Sequence, residues 1–276
     1  MKNTKSPTML KNMNIALDTL NILKDGKYIL KNRKVIDLSN ELNYSINNSK
    51  MIEPIDIVDI NSTIDLDISV VQKTTVKCLI DLYNKDKNFT ILNFASASNP
   101  GGNFKSGVNA QEESLARVSG LYYCLKPFKN TFYKLKKNLG QYTNNIIFSP
   151  KVPFIKNDFG EVLNEVLLAN IITSAAVNAR LSLNKKNNYL IMKKRINYIL
   201  NLILSKEECW NGYVILGAFG CGVFKNDPYY IAKIFKEEIN KKSTLFQDKN
   251  INIVFAIPDN KNFDIFKNIL SWIKKK

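Results

Sequence analysis

Two adjacent glutamates, Glu112 and Glu113, stand where a helix is predicted to begin, shortly after a glycine-containing loop. The run is Asn99-Pro100-Gly101-Gly102-Asn103, seven further residues, then Gln111-Glu112-Glu113. Glycines that leave a strand let the backbone approach a ligand closely and expose N–H groups. The N-terminus of the following helix adds partial positive charge that suits phosphate. A carboxyl pair at this place can set a proton donor beside a phosphate-bearing sugar. The plainer reading is a helix start. Asn109 and Glu112 have the spacing of a capping box, and acidic residues are ordinary in a first turn. Spacing alone leaves both open.

A second loop repeats the arrangement. Gly217-Ala218-Phe219-Gly220-Cys221-Gly222-Val223-Phe224 follows a predicted strand and precedes a predicted helix. Ligands of open α/β sheets bind outside the carboxyl ends of strands, so two such loops can share one crevice. Phe224, beside three glycines, can cover a sugar or base face; alternatively it is a core aromatic at a helix start.

Composition narrows the chemistry. The chain has 276 residues and no His, which removes Ser-His and Cys-His nucleophile pairs and His-ligated metals. Cys78, Cys124, Cys209 and Cys221 are scattered without a CxxC pair, and read as free thiols in a reducing compartment. Cys221 reads as a small loop residue rather than a nucleophile, having no base nearby in sequence. Carboxylate chemistry leads. The formal charge of +16 attracts polyanions. Yet almost all of it is Lys, in a chain also rich in Asn and Ile, so the bias of an AT-rich coding sequence explains it as well. The basic residues are spread, which supports nucleic acid only weakly as a partner. No signal peptide and no apolar run of membrane-spanning length is present, so an intracellular, cytoplasmic protein is expected, with the nucleus left open.

The elements that must position these residues alternate. Leu17, Leu20 and Leu23 predict a short helix stopped near Gly26. Strands are predicted at 55–60, at 89–95, as two short pieces within 145–155 around Pro150 and Pro153, within 167–179 together with an exit loop, at 213–216 and at 251–258. Helices are predicted over 70–84, 111–125 with a break near Gly120, 188–204, 227–241 and 263–273. Asp227 and Pro228 make a good cap and first-turn pair. Hydrophobic residues at 45% suffice for a full core. The pattern predicts an α/β three-layer domain over residues 51–276 with an N-terminal helical extension over 1–50, the 31–50 stretch being the one soft boundary.

On these residues a resemblance stands out. NFASASNPGG, then QEESLARVSGLYYCL, resembles the signature of the microbial-type poly(ADP-ribose) glycohydrolases, a triple-glycine loop followed after six to eight residues by QEE. LGAFGCGVFKNDP is similar to the family's second glycine loop, and SPKVPFIKND and LDTLNILKDGKY to other family segments. The resemblance runs from about residue 15 to 260. It implies a macrodomain-like fold, a mixed sheet between helices, with ADP-ribose as the bound unit, no metal and no cofactor. It implies hydrolysis of the ribose–ribose O-glycosidic bonds of poly(ADP-ribose), including polymer on ADP-ribosylated proteins.

By motif position, Glu113 is the expected catalytic acid and Glu112 orients the sugar hydroxyls. Asn99 holds the distal ribose. Gly101 and Gly102 lie near ribose and pyrophosphate, with Asn103 and Gln111 in the same binding loop. Gly220, Cys221, Gly222, Val223 and Phe224 wrap the diphosphate. Adenine has no assigned pocket; Tyr122, Tyr123, Tyr229 and Tyr230 are candidates. The acid has to hold its proton near neutral pH, and burial together with Glu112 is expected to raise Glu113.

One departure matters. Asn103 stands for the third glycine. If that position needs φ > 0, Asn is the least costly substitute; if a close contact forbids a Cβ, the loop must shift. Two other functions share this pocket: an ADP-ribose reader without hydrolysis, and a hydrolase removing single ADP-ribose units from protein or nucleobase.

Overall fold

Ser6 accepts a hydrogen bond from the Met9 N–H, Pro7 supplies the fixed φ of a first helical position, and Gly26 stops the helix at φ 69°. The helix so bounded is α1, Pro7–Asp25, which starts earlier than the predicted leucine patch and stops at the expected glycine. The computed structural model describes residues 6–57, 66–134, 138–182 and 184–270. A two-stranded ribbon, β1 (Lys27–Ile29) and β2 (Val35–Asp37), and helix α2 (Ser39–Asn48) come next. Leu23, Tyr28, Leu38 and Leu42 bury themselves here around Ile155. The 31–50 stretch therefore carries a strand and a packed helix.

Seven strands make the main sheet: β3 (Lys50–Ile52), β4 (Ile68–Val71), β5 (Asn88–Phe94), β6 (Ile146–Lys156), β7 (Val162–Ser174), β8 (Gly212–Leu216) and β9 (Ile251–Ala256). Their order is β3-β6-β7-β5-β8-β9-β4. The five strands from β7 to β4 are mutually parallel, and β6 and β3 join as antiparallel neighbours at one side. Consecutive residues of the central strands serve opposite faces. Ile91, Ile171, Ile215 and Val254 meet α3 (Thr75–Leu82), α4 (Gln111–Val118) and α5 (Leu121–Leu125). Leu92, Ile172, Val214 and Phe255 meet α7 (Lys185–Ser205), α8 (Pro228–Asn240) and α10 (Asn260–Leu270). With both faces covered, the strands read as continuous apolar runs rather than alternating ones. Two short helices, α6 (Asn138–Gln141) and α9 (Ser243–Asp248), complete the described α-helices. The expected three-layer arrangement with a mixed sheet is present. No described helix is long and apolar enough to cross a membrane.

Three local expectations change. The two short strands around Pro150 and Pro153 form one long strand, β6, interrupted by an irregularity between Ser149 and Val152. Lys151 adopts φ 49° there, and its N–H donates to Asn170 Oδ1 at 3.0 Å, so the kink leaves no orphan donor. The 111–125 helix divides at Ser119-Gly120 into α4 and α5: Ser119 turns extended and bridges to Phe154 of β6, and the Gly120 N–H donates to the Pro153 carbonyl. The strand expected at 55–60 has no regular structure over 55–57; residues 58–60, like 271–273 of the last predicted helix, lie outside the described residues.

Helix α1 is fastened beside the site. Asn12 Nδ2 donates to the Gly107 carbonyl (3.1 Å), and Thr19 Oγ1 to the Arg117 carbonyl (2.7 Å). Fully buried Lys156 reaches Asp18 at 2.6 Å.

Candidate active site

The carboxyl ends of five parallel strands open onto one cleft of about 850 Å³. Thr74 and Thr75 follow β4, Ser96 follows β5, Ala176 follows β7, Ala218 follows β8 and Pro258 follows β9. Thr8, Lys11 and Asn12 of α1 add a further wall. Ligand crevices of parallel sheets sit at this edge for a topological reason: the loops there diverge to both faces.

The first glycine loop spends its N–H groups on the two glutamates. The Ser96 N–H donates to Glu112 Oε2 (2.5 Å), and the Gly101 N–H (3.2 Å) and Asn93 Nδ2 (3.4 Å) donate to Glu112 Oε1. The Asn103 N–H donates to Glu113 Oε1 at 3.0 Å. Among the described residues no hydrogen bond reaches Glu113 Oε2. Gly102 turns at φ 59°, and a Cβ there would stand 2.2 Å from Glu113 Oε1. Glycine at this position is what lets the loop close onto the carboxyl. Asn103 has φ −108°, an ordinary conformation for any residue, so the missing third glycine costs the backbone nothing.

The capping-box alternative does not form. Helix α4 begins after Ala110, which makes no side-chain cap. Asn109 Oδ1 instead accepts Arg117 Nη2 at 2.9 Å, and Arg117 Nη1 donates to the Val108 carbonyl at 2.8 Å. Gln111 is engaged with β5: its Oε1 accepts the Phe94 N–H (2.9 Å) and its Nε2 donates to the Leu92 carbonyl (2.8 Å). This clamp fixes the first turn of α4, and with it both glutamates, against the sheet.

The second loop does the opposite with its backbone. Gly220 turns at φ 76° where a Cβ would stand 2.5 Å from Ala176 Cβ, while the space around Gly222 is open. Within the described residues the N–H groups of Gly220, Gly222, Val223 and Phe224 donate to no protein acceptor. Successive free N–H groups in a glycine loop form an anion cradle. Phe224 lines the cleft, and its ring packs against Tyr142 at 6.0 Å between centroids. Phe219 and Cys221 turn inward and are buried, and burial pushes the Cys221 thiol far up. All four cysteines are free and buried.

Of the expected site residues, the structure brings Asn103, Gln111, Glu112, Glu113, Gly220, Gly222, Val223 and Phe224 to the cleft. Asn99, Gly101, Gly102 and Cys221 lie outside its lining; Asn99 is exposed, and its carbonyl accepts the Gly102 N–H. None of the four candidate tyrosines lines it either, and apolar Val76, Ile257 and Pro258 do so instead. Sequence reasoning missed Asn93, Tyr133, Thr74, Asp158 and the α1 wall. Thr74 Oγ1 donates to Asp158 at 2.6 Å across the cleft from residues 84 apart, a pairing no local pattern announces.

Of the two glutamates, Glu112 is the more deeply buried, 2% exposed against 8% for Glu113. Burial raises Glu112 to about 8; the Glu113 charge adds to this and the N–H donors oppose it. An unfolded chain releases that proton near 4.5. Between these values the folded state binds more protons, so this contribution to stability is full below 4.5 and is lost as pH rises to about 8. Thermal unfolding of the ligand-free protein across that window should therefore show a decline that flattens in Glu112→Gln. An equal slope in both proteins would refute the burial argument.

A mixed sheet between helices, with paired carboxyls at one helix start and a free-amide cradle opposite, defines a macrodomain-like fold fitted for glycosidic chemistry on a phosphate-bearing sugar. Residues 16–157, just over half of the chain, match the model of the microbial-type PARG (poly(ADP-ribose) glycohydrolase) catalytic domain. The chain belongs to this family, glycosidases that hydrolyse poly(ADP-ribose). It is similar to the crystal structure of the poly(ADP-ribose) glycohydrolase from Thermomonospora curvata, with 27% identity, 94% of this chain and 99% of that one covered, and a TM-score of 0.79. The same enzyme bound to the inhibitor ADP-HPD matches at 28% identity over the same shares, again with a TM-score of 0.79. The glycohydrolase from Deinococcus radiodurans in complex with ADP-ribose matches at 28% identity, covering 83% of this chain and 96% of that one, with a TM-score of 0.70. A search of the curated proteins finds no match.

Proposed function

We propose that the chain releases ADP-ribose from the polymer with Glu113 as proton donor to the departing oxygen of the ribose–ribose bond. Breaking that acetal builds positive charge on the anomeric carbon and negative charge on the leaving oxygen. Glu113 protonates the oxygen and, once ionised, activates the water that completes hydrolysis. Glu112, held by three donors, orients the ribose hydroxyls. The free N–H groups of Gly220, Gly222, Val223 and Phe224 hold the diphosphate, with the Phe224 ring on the distal ribose. Asn99, Gly101 and Gly102 act through the loop they shape. The first 50 residues, taken as a helical extension, contribute α1 to the substrate's surroundings.

The observation that carries this reading is the division at Glu113: one oxygen pinned by the Asn103 N–H, the other unbonded among the described residues, in a cleft whose second loop offers amides with no acceptor among them. ADP-ribose bound to the Deinococcus radiodurans relative supports the ligand. The four unpaired thiols support a reducing, intracellular compartment. Incubation with poly(ADP-ribose), beside protein carrying single ADP-ribose units, tests the substrate. Free ADP-ribose should accumulate from the polymer. Release from the mono-modified substrate alone would reassign the chain to a mono-ADP-ribosyl hydrolase, and binding without release would make it a reader.

A further inference from the structure

Among the described residues the Tyr133 hydroxyl and Asn93 Oδ1 are buried polar atoms with no hydrogen-bond partner; the Asn93 amide donates to Glu112, and the Tyr133 phenol interacts with the Glu112 carboxyl. Buried hydroxyls are nearly always bonded, and an orphan in a reactive site points to a partner taken up in another state of the site. Tyr133 sits in the short turn Phe132–Lys134, is 2% exposed, and is fixed edge-on by the Phe132 ring at 5.0 Å. Burial, and then the Glu112 charge beside it, push its phenol well above the usual range, so it remains a donor at any working pH.

The groups that already bond the Glu112 oxygens, the Ser96 and Gly101 N–H and Asn93 Nδ2, are all donors. The titratable groups facing it are Glu113 on its own helix and Tyr133 opposite; β5 and the first glycine loop offer it amides alone. We infer that Tyr133 is a positioning residue for Glu112, its O–H turning to the Glu112 carboxylate as a fourth donor and holding it for the ribose hydroxyls. The inference rests on the role given to Glu112 above.

Tyr133→Phe removes a hydroxyl that has no hydrogen-bond partner among the described residues, so folding should be unharmed. The rate on polymer should fall about 10- to 100-fold, the loss of one hydrogen bond to a charged group. The limb of the pH–rate profile that rises as Glu112 loses its proton should move about one unit higher. Added to Glu112→Gln, Tyr133→Phe should change nothing further. A Tyr133→Phe protein with wild-type rate and profile overturns the inference, as does one that no longer folds or whose loss persists in full beside Glu112→Gln. The parent reading fails by a different result, wild-type protein that frees no ADP-ribose from polymer, and takes this inference with it.

Discussion

Glu113→Gln should keep ADP-ribose in the cleft while lowering turnover of the polymer by about a thousandfold. The substitution keeps shape and removes the proton donor, and general acid catalysis supplies about 10²- to 10⁴-fold. A thousandfold loss corresponds to about 4 kcal/mol of transition-state stabilisation. Binding should persist because the cradle amides of Gly220, Gly222, Val223 and Phe224 belong to another loop and do not contact Glu113. Two measurements decide: the initial rate of ADP-ribose release from polymer, and the thermal upshift produced by added ADP-ribose. Unchanged turnover would remove Glu113 from the chemistry. Lost turnover together with lost binding would make it a binding residue.

Gly102→Ala should damage catalysis about tenfold less than Glu113→Gln, while sparing the fold. The new Cβ would meet the Glu113 carboxyl, the far end of a flexible side chain, rather than backbone. The side chain can swing away, so the stability cost should stay near the 1–2 kcal/mol of placing alanine at φ 59°. The swing displaces the acid, and a misplacement of about 1 Å can cost about 10²-fold. We expect kcat to drop by about that factor with a modest loss in Tm and unchanged ADP-ribose binding. A wild-type kcat would show that the close approach of Gly102 to Glu113 is incidental.

Much of the site was legible because it is local. The carboxyl pair, both glycine loops and their place after strands lie within short stretches, and the absence of His had already narrowed the chemistry. The fold class was legible for a similar reason: strands covered on both faces read as apolar runs between amphipathic helices. What sequence alone left open turned on distance through space. Asn109 looked like half of a capping box, yet Arg117, on the same helix, takes its side chain. Asn103 looked like a possible defect in the loop until its φ placed it in ordinary backbone space.

The sequence by itself determined which functional groups this protein has to work with, two adjacent carboxyls, two runs of glycine and no imidazole, and the order of the elements that carry them. Only the tertiary structure decided how the loops divide their labour: the first spends its amides on Glu112 and Glu113, whereas the second leaves those of Gly220, Gly222, Val223 and Phe224 without an acceptor among the described residues. The reason is physical. A backbone N–H has one proton to give, and its recipient is settled by which acceptor packing brings within about 3 Å. That packing joins residues far apart in the chain, as with Thr74 and Asp158, or Asn12 of α1 and the Gly107 carbonyl.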